Sequence, residues 1–559
     1  MRKYTMFLVS LAACTDATPL GPAVQIVDRT PPRLEIVSPQ RGLIQPGTPG
    51  RVEVRGFVRD DRSGARVQVN GVVGVVGSAD GSFAVQVPVH EGMTFLHTVA
   101  TDGAGNTAGD TRAVLAGSLV PTETPAGDAI VARLDSRAVR VGGELLAARL
   151  AGADLTRRVT NPIVDNPIPC VAARADVTRL AHGNVTLALS PIEGGLAIDA
   201  TVENLSLGLR VLHSTSCNSK ASLDVTAAAR QFRMRGTLRL GVDGEGLVAV
   251  DRSATDAWVD GLAVNGELPS RTLAQIEGPI AAALAQLYAD HIGGHVPSVI
   301  LRGLGANDRI VELSSGDLEL TLRPTQLWVD YTGIGIAVDT QVKLPPGGSG
   351  AVYLASGASS LPALAGGDAI AVGISDDAVN QLLSSLWGAG AFDGSLAAAA
   401  PVAPAAVTPR YDAVELSPRL PPVVTALQGG AGLRIAFGDV ECAFIKQVPG
   451  GPGETVARVS LSAEITVSVS ANGDQLRFQP VHRQLFVDSL DDNLVEPHAF
   501  TGSDVDAAGF WASERLMELM NDRVSHLPLP AARGTMFAAG TAYLTRPVEG
   551  YVVIRGDAP

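Results

Sequence analysis

One stretch of apolar residues predicts a short strand that leads into an amphipathic helix. Residues 370–374 alternate between larger and smaller apolar side chains, which is typical of a strand with one buried face. Ser375 follows at the position of a helix N-cap, and Asp376 and Asp377 fall in the first turn, where the helix dipole favours acidic groups. Apolar residues then recur at helical spacing, at Val379, Leu382, Leu383 and Leu386. The acids therefore start a helix, and the apolar stripe behind them faces a core.

An earlier copy of this stretch lies 240 residues upstream. Gly127–Val139 matches Gly367–Val379 at six of thirteen ungapped positions. Its cap is Asp135, and its helical stripe is weakened by Gly142-Gly143. The stripe consists of Val139, Leu146 and Leu150. An internal repeat of this kind predicts that most of the chain consists of two related halves.

Long alternating runs and a second helix follow each copy. In the first half, Leu196–Val202 and Leu205–Val211 predict two strands. A helix is expected from Ser270 to Ile292, because Gly293-Gly294 would end it and Pro297 would prevent its return.

The second half repeats this order. Its most regular strand pattern is Val459–Val469, and Asn472-Gly473 predicts a hairpin turn after it. A last helix carries Trp511 and ends near His526. Each half is therefore predicted to contain a strand and helix, a long antiparallel sheet, a second helix and a return strand.

Residues 31–118 form a separate module in this prediction. Short strands alternate with turn signals such as Asn70-Gly71, which is the pattern of a small β-sandwich. Its closing stretch Asp102-Gly-Ala-Gly-Asn106 resembles the bacterial Ig-like modules of surface proteins. Asp60, Asp61 and Asp102 allow a calcium site as an alternative to simple turn formation.

The N-terminus has the features of a targeting segment. Residues 1–13 combine Arg2-Lys3 with a short apolar run, and Leu11-Ala-Ala-Cys14 resembles the bacterial lipobox, whose cysteine is diacylated. Residues 14–30 would then be a tether, and Cys14 would anchor an outer-membrane lipoprotein of the cell envelope. The alternative is an ordinary secretory signal with an incidental cysteine.

The net charge limits the classes of binding partner, and the cysteine content limits the possible disulfide bonds. The net charge is −14 and there are only four lysines, which argues against nucleic acid and against electrostatic adsorption to anionic membranes. An exported chain favours one disulfide, for which Cys170 and Cys217 are expected because both fall in the first half. Cys442 is expected to be a buried thiol.

The sequence contains no pattern that favours an enzyme. It has no Gly-x-Ser-x-Gly elbow, no His-Glu-x-x-His and no phosphate-binding glycine loop followed by lysine, so neither a catalytic residue nor a cofactor is predicted. Two weak cation alternatives are His291 with His295, and the acidic segment 488–493. We interpret the first as a helix terminus and the second as a solvated loop, and predict no metal site.

Both ends of the second half resemble a known family. Val372–Leu383 is similar to the opening strand and helix of the second barrel in the tubular lipid-binding superfamily, in particular the bactericidal/permeability-increasing and lipopolysaccharide-binding proteins. Leu527-Pro-Leu-Pro530 and Gly550–Asp557 resemble the C-terminal signature of these proteins, and Ile130–Val139 resembles their first strand and helix. The resemblance covers about residues 122–559.

The resemblance implies a mainly β chain with a few amphipathic helices, an α+β arrangement. After the Ig-like sandwich, two pseudo-symmetric tubular barrels, 122–345 and 346–559, would be joined by a central sheet. Each barrel would hold the tails of a phospholipid or similar amphiphile. The predicted pocket lining is Val139, Leu146, Ile280, Leu284, Leu287, Val379, Leu382, Leu383 and Leu386.

The chain departs from this family in two ways. The endotoxin binders of the family use a cationic tip, which this acidic chain lacks, and Cys217 lies well before the long helix rather than beside it. We expect membrane-anchored binding, or transfer, of an acyl-chain amphiphile in the barrels. The alternative is a structural or adhesive surface lipoprotein with filled barrels and no ligand.

Overall fold

A computed structural model describes residues 28–61, 64–168, 170–303, 310–312, 318–343, 351–356, 361–362, 364, 369–397, 411–427, 433–447, 451, 453–472, 475–492, 502–524, 544–548 and 550–556. This part of the chain is mainly β with four α-helices, which confirms the predicted class. It divides into two compact units. The smaller contains residues up to Ser38, Val54–Val85 and Thr98–Asp110, and the larger contains Pro39–Glu53, Gln86–His97 and Thr111 onwards.

Eight strands precede residue 118. They are β1 (Arg33–Ser38), β2 (Leu43–Pro46), β3 (Arg51–Arg59), β4 (Arg66–Val69), β5 (Val72–Gly74), β6 (Ser82–Pro88), β7 (Gly92–Thr101) and β8 (Thr107–Gly117). In the smaller unit β1, β3 and β6 form one sheet, and β4 and β5 form a hairpin. Its turn is Asn70-Gly71, with φ angles of 48° and 82°, so the Asn-Gly prediction is confirmed. In the larger unit β2 runs parallel to β8.

The first half is built on two long strands, β14 and β15, of 22 and 24 residues. The elements are β9 (Leu119–Pro121), β10 (Ala126–Asp135), α1 (Ser136–Ala151), β11 (Val164–Asn166), β12 (Ala173–Ala181), β13 (Val185–Ile192), β14 (Gly195–Ser216), β15 (Ser219–Val242), β16 (Val248–Asp260), β17 (Ala263–Asn265), α2 (Ser270–Gly303), β18 (Ile310–Glu312), β19 (Glu319–Asp330) and β20 (Gly333–Lys343). One sheet has the order β11-β12-β14-β15-β16, with β13 paired to β14 and β17 to β15.

The prediction of two strands within 196–211 is wrong, because β14 is continuous. Asn204 lies between the two alternating runs with a φ of 53°. Asparagine tolerates this left-handed conformation, so the alternation is interrupted while the pairing of β14 with β15 resumes at Leu205.

The second half has the same order of elements. They are β21 (Val352–Leu354), β22 (Ile370–Ser375), α3 (Asp376–Gly388), β23 (Gly394–Ala397), β24 (Ala413–Pro418), β25 (Val423–Ala426), β26 (Leu433–Lys446), β27 (Glu454–Asn472), β28 (Gln475–Asp492), α4 (Gly502–Val524), β29 (Leu544–Val548) and β30 (Tyr551–Gly556). The sheet order is β23-β24-β26-β27-β28, with β25 paired to β26. The predicted strand Val459–Val469 lies within β27. The Leu-Pro-Leu-Pro stretch 527–530 is outside the described residues.

A central sheet joins the halves in the order β18-β19-β20-β10-β22-β30-β29. The two repeat copies lie side by side in it, because β10 pairs antiparallel with β22. Ala132 stands opposite Val372, its own counterpart in the repeat, and Ile130 stands opposite Ile374 while Leu134 stands opposite Ile370. An antiparallel register centred on equivalent residues relates the two copies by a local twofold axis.

Both predicted helix starts are confirmed. The Asp135 carboxylate accepts a hydrogen bond from the Ala138 N–H at 2.7 Å, and the Ser375 hydroxyl accepts one from the Ala378 N–H at 3.1 Å. These bonds satisfy N–H groups that have no partner inside the helix.

The predicted end of α2 at Ile292 is wrong, because the helix continues through Gly293, Gly294 and Pro297 to Gly303. Glycine costs about 1 kcal/mol and proline about 3 kcal/mol relative to alanine inside a helix. The side chains of the apolar stripe, however, have no exposed surface, and each aliphatic side chain buried contributes about 1.5–3 kcal/mol. This stripe comprises Ile276, Ile280, Leu284, Ile292 and Val296. Only Val296 of this stripe lies beyond the predicted end, so burial of the stripe does not by itself offset the helix breakers. Gly293 also packs closely on β16, where an added Cβ atom would clash with the Arg252 Cδ, so tertiary contacts that a local pattern does not contain accompany the extension.

Candidate functional site

The predicted pocket-lining residues all face one apolar core that runs through both halves. Eight are buried and Leu287 is half-buried against the same core. The buried ones are Val139, Leu146, Ile280, Leu284, Val379, Leu382, Leu383 and Leu386. This places them between the helices and the sheets, where an acyl chain would have to lie.

A small cavity touches two of them. Val379 and Leu382 of α3 line a space of about 20 Å³ with Ile130, Ile374, Leu320 and Thr340. That volume holds about one water molecule, and its lining is apolar except for Thr340. This cavity between α3 and the central sheet is therefore too small to hold an acyl chain.

Helix α1 approaches strand β13 unusually closely at Gly143. A Cβ atom at this position would lie 3.0 Å from the Leu187 carbonyl oxygen and 3.3 Å from the Leu189 nitrogen. Glycine removes that obstacle, so the helix backbone can lie directly against the strand backbone. Gly143, the second residue of the pair that weakens the helix in the sequence, thus permits this close packing.

A groove of about 690 Å³ runs beside this contact, between α1 and the sheet. Its lining includes Ala147, Val185 and Leu187, which are buried members of the apolar core. Its walls carry Glu144 and Ala148 from α1, and polar groups from β13, β14 and β15. These polar groups are those of Asn184, Thr186, Asp199, Thr201 and Arg235. The groove therefore borders the apolar core and has a hydrophilic rim.

The charges of the groove occur in pairs. Arg235 on β15 lies 2.9 Å from Asp199 directly across on β14, and Glu144 pairs with Arg140 one helical turn away. Both pairs are about half exposed, so each contributes little to stability. The rim thus offers hydrogen-bonding groups without a strong field of either sign.

Tyr288 on α2 lies inside the first half with no exposed surface. Its ring stacks on Phe232 with centroids 5.2 Å apart, and the His182 ring meets it edge-on at 6.0 Å. Its hydroxyl has no hydrogen-bond partner within the described residues, and burial raises its pKa. Trp511 on α4 is a similar residue in the second half. It is 1% exposed, and its indole N–H also has no hydrogen-bond partner within the described residues.

The cysteines differ in state. Cys170 and Cys217 form a disulfide bond. Cys442 is a fully buried free thiol whose pKa burial raises to about 12, which makes it unreactive as a nucleophile. Cys14 lies outside the described residues.

Several of the acidic residues considered for cations are engaged within the protein. The Asp102 carboxylate accepts hydrogen bonds from the N–H groups of Ala104, Gly105 and Asn106, as a turn former does. The segment expected as an acidic loop is instead strand up to Asp492, where Asp488 accepts from the Thr111 N–H and Asp491 pairs with Arg458.

The histidines of α2 lie next to each other. The rings of His291 and His295 are 4.3 Å apart, and burial, with His295 nearby, lowers the pKa of His291. Within the described residues no three His, Cys, Asp or Glu side chains are arranged to hold a metal ion.

Sequence reasoning found the apolar stripes but not the groove. Asp199, Thr201 and Arg235 stand on the outward positions of alternating strands, so they resemble ordinary solvent-facing residues. Only the pairing of β13, β14 and β15 and the docking of α1 bring them together.

The comparisons with known proteins add little to this picture. No protein-family model and no curated protein matches the sequence. Eleven chains among solved structures match. The crystal structure of lipopolysaccharide binding protein is 15% identical over 77% of this chain and 99% of its own, with a TM-score of 0.38. The solution structure of latherin is 16% identical over 30% of this chain and 83% of its own, with a TM-score of 0.18.

At these TM-scores neither likeness decides the fold or the function, which we argue from the chain's own structure. No helix in the described part of the chain is both long and apolar enough to cross a membrane.

Proposed function

We propose that the chain binds an amphiphile with acyl chains, in the manner of the tubular lipid-binding proteins that its sequence resembles. The observation that carries this proposal is the lining of the groove beside α1. The groove borders the apolar core and its rim is polar, so one molecule with a hydrophilic head and an apolar tail matches both surfaces.

The tail supplies the binding energy in this proposal. Each buried CH₂ group contributes about 0.8 kcal/mol before the costs of ordering the ligand. The tail would pass between α1 and β13, where Gly143 makes the contact close, and α1 would have to separate from β13 to admit it. The rim would hydrogen-bond the head group without selecting for a strong charge.

A structural role is the second candidate function, and the second half favours it. The cavity beside α3 has a volume of about 20 Å³, which is too small for a tail. We assign the ligand to the groove beside α1, and α3 would then act as part of a packed scaffold.

We further propose that the chain is held at a bacterial envelope membrane through acylation of Cys14, as the sequence predicts. The anchor and the groove are independent of each other. Fractionation of cells that express Cys14→Ser tests the anchor, because the variant should leave the membrane fraction.

The test of ligand binding is to purify the full chain, extract it with organic solvent and measure acyl lipids by mass spectrometry. Stoichiometric lipid is expected. Ala148→Trp should reduce bound lipid by about fivefold or more, because Ala148 is an exposed wall residue and the indole would fill the groove.

Ala282→Trp is the matched control. Ala282 is an exposed alanine of α2 that does not line the groove, so its replacement should leave bound lipid unchanged. A stable chain that carries no lipid and takes none up would overturn the proposal and leave the structural role. Equal loss in both tryptophan variants would place the lipid outside the groove.

A further inference from the structure

The Tyr288 hydroxyl is a polar group inside an apolar core, without a hydrogen-bond partner in the described part of the chain. An unsatisfied buried donor costs about 1–3 kcal/mol, so such groups are rare and require an explanation. Phenylalanine would fill the same space without this cost. The hydroxyl is thus unfavourable for the ligand-free fold.

The position of Tyr288 links it to the groove. Its ring contacts His182, and His182 lies two residues before Asn184, which lines the groove with Val185. Phe232, on which the Tyr288 ring stacks, stands opposite Val202 in the sheet, next to the groove residue Thr201. Tyr288 therefore lies on the core side of these strands, while Thr201 faces their outer side. A tail that passes between α1 and β13 would enter the side on which Tyr288 lies.

We propose that the Tyr288 hydroxyl donates a hydrogen bond to a carbonyl oxygen of the bound amphiphile, where its head group joins its tail. This inference rests on the proposed function and specifies the ligand further. A protonated phenol surrounded by apolar side chains is a donor without an acceptor, and an ester or carboxyl group is the acceptor that an acyl lipid carries into such a site. An ether-linked lipid of the same length lacks that oxygen.

Trp511 shows the same feature on the second helix of the other half, and it too can only donate. The proposal is limited to Tyr288 because the groove lies in the first half.

The experiment compares two lysophospholipids that share one head group and one chain length, one ester-linked and the other ether-linked. They are titrated into the delipidated full chain. The wild type should bind the ester about tenfold more tightly, which is the effect of one buried hydrogen bond. Tyr288→Phe should abolish this preference by weakening ester binding, with ether binding unchanged.

Tyr551→Phe is the matched control, because the Tyr551 hydroxyl is also buried but already donates to the Asp128 carbonyl at 2.9 Å. It should lower the melting temperature and leave the ester preference intact. Tyr288→Phe should keep or raise the melting temperature of the ligand-free chain.

The outcomes separate the two proposals. If neither lipid binds, the proposed function is wrong. If both bind equally well to the wild type, or if Tyr288→Phe keeps the ester preference, the inference is wrong and the proposed function stands. A loss of melting temperature in Tyr288→Phe equal to that of Tyr551→Phe would also overturn the inference, since the hydroxyl would then have a partner in the ligand-free chain.

Discussion

Asp376, the first residue of α3, is only 7% exposed. Burial raises the pKa of its carboxyl to about 6, and the nearby Asp377 carboxylate adds to this rise. A hydrogen bond from the Ala426 N–H lowers the pKa but does not outweigh burial. A carboxyl whose pKa is higher in the folded state favours folding when it is protonated. This stability is complete below the unfolded pKa of 3.8 and is lost as the pH rises through about 6.

We expect Asp376→Asn to stabilise the protein at neutral pH. The rise in pKa from 3.8 to about 6 corresponds to roughly 3 kcal/mol above pH 6. The gain should shrink as the pH falls from 6 towards 4, because wild-type Asp376 is then protonated. Denaturant unfolding of the two proteins across this pH range measures it.

Asp330→Asn is the control, and its expected change in stability at neutral pH has the opposite sign. Burial raises the pKa of Asp330, but hydrogen bonds from Thr332 and from Arg133 outweigh it and hold the pKa at about 2. Its stabilising effect is present above pH 3.8 and is lost as the pH falls through about 2. The variant should therefore be less stable at neutral pH. If both variants shift stability in the same direction, the assignment for Asp376 is wrong.

At this scale, local sequence patterns predict the helix caps but not the pKa of Asp376. The caps Asp135 and Ser375 follow from local spacing alone, because a cap is a bond between residues three positions apart. The burial of Asp376 depends on Ala426 and Ser356, which are distant in the sequence. An acid in a first turn therefore predicts a helix start, but its pKa depends on contacts that no local pattern contains.

At the scale of elements, the fit of α1 against β13 depends on Gly143. Glycine to alanine inside a helix ordinarily stabilises by about 1 kcal/mol. At Gly143 the new Cβ atom would press on the Leu187 carbonyl oxygen at 3.0 Å, so one backbone must move. We expect Gly143→Ala to lower the free energy of unfolding and to speed hydrogen exchange in α1.

Gly294→Ala is the matched control for this prediction. Gly294 lies in α2 and is exposed, and a Cβ atom added there would meet no other atom within 4 Å. It should gain the ordinary helix stabilisation, so the two variants should differ by about 1 kcal/mol or more. Equal gains in both would show that the contact between α1 and β13 yields without cost.

Helix α2 shows why local helix propensity predicts the wrong C-terminal end. The glycines and Pro297 of α2 are correct as local signals, yet the stripe that continues to Val296 stays fully buried. The sequence contains both the breakers and the stripe. The packing of α2 against β16, which includes the bond from the Arg252 guanidinium to the Ala289 carbonyl, is a tertiary contact that neither local signal contains.

At the scale of the molecule, the repeat predicts two halves but not how they join. The antiparallel register of β10 with β22 supplies the join, since equivalent residues stand opposite each other. Residues of the predicted module 31–118 occur in both compact units. Pro39–Glu53, Gln86–His97 and the residues from Thr111 belong to the larger unit, although their strand patterns resemble those of the rest of the module.

A buried ion pair fixes these segments to the second-half sheet. Asp439 of β26 has no exposed side-chain surface and accepts hydrogen bonds from the Gly42 N–H at 2.8 Å and the Ala113 N–H at 3.0 Å. The Arg41 guanidinium lies 3.1 Å from it and also donates to the Thr111 carbonyl and the Ser460 hydroxyl. One carboxylate therefore holds two chain segments that no local sequence pattern connects.

We expect Asp439→Asn to loosen both segments. Asparagine tolerates the left-handed φ of 47° at this position, so the backbone is kept while the negative charge is lost. Arg41 would then keep only the Asp488 carboxylate, 3.6 Å away, as a counter-ion. Removing one partner of a buried ion pair is destabilising, so the hold on both segments should weaken. Hydrogen exchange should accelerate in residues 39–53 and 111–117, while β27 keeps its protection.

Asp224→Asn provides the comparison for this last prediction. Asp224 lies 3.0 Å from Arg210 across β14 and β15, but the two side chains are 72% and 60% exposed. Water already solvates both charges there, so the loss of one should change neither stability nor exchange appreciably. If Asp439→Asn leaves the exchange of 39–53 as slow as Asp224→Asn does, then apolar packing of Leu115 and Ala113 against Leu420 and Val423 holds the segments by itself.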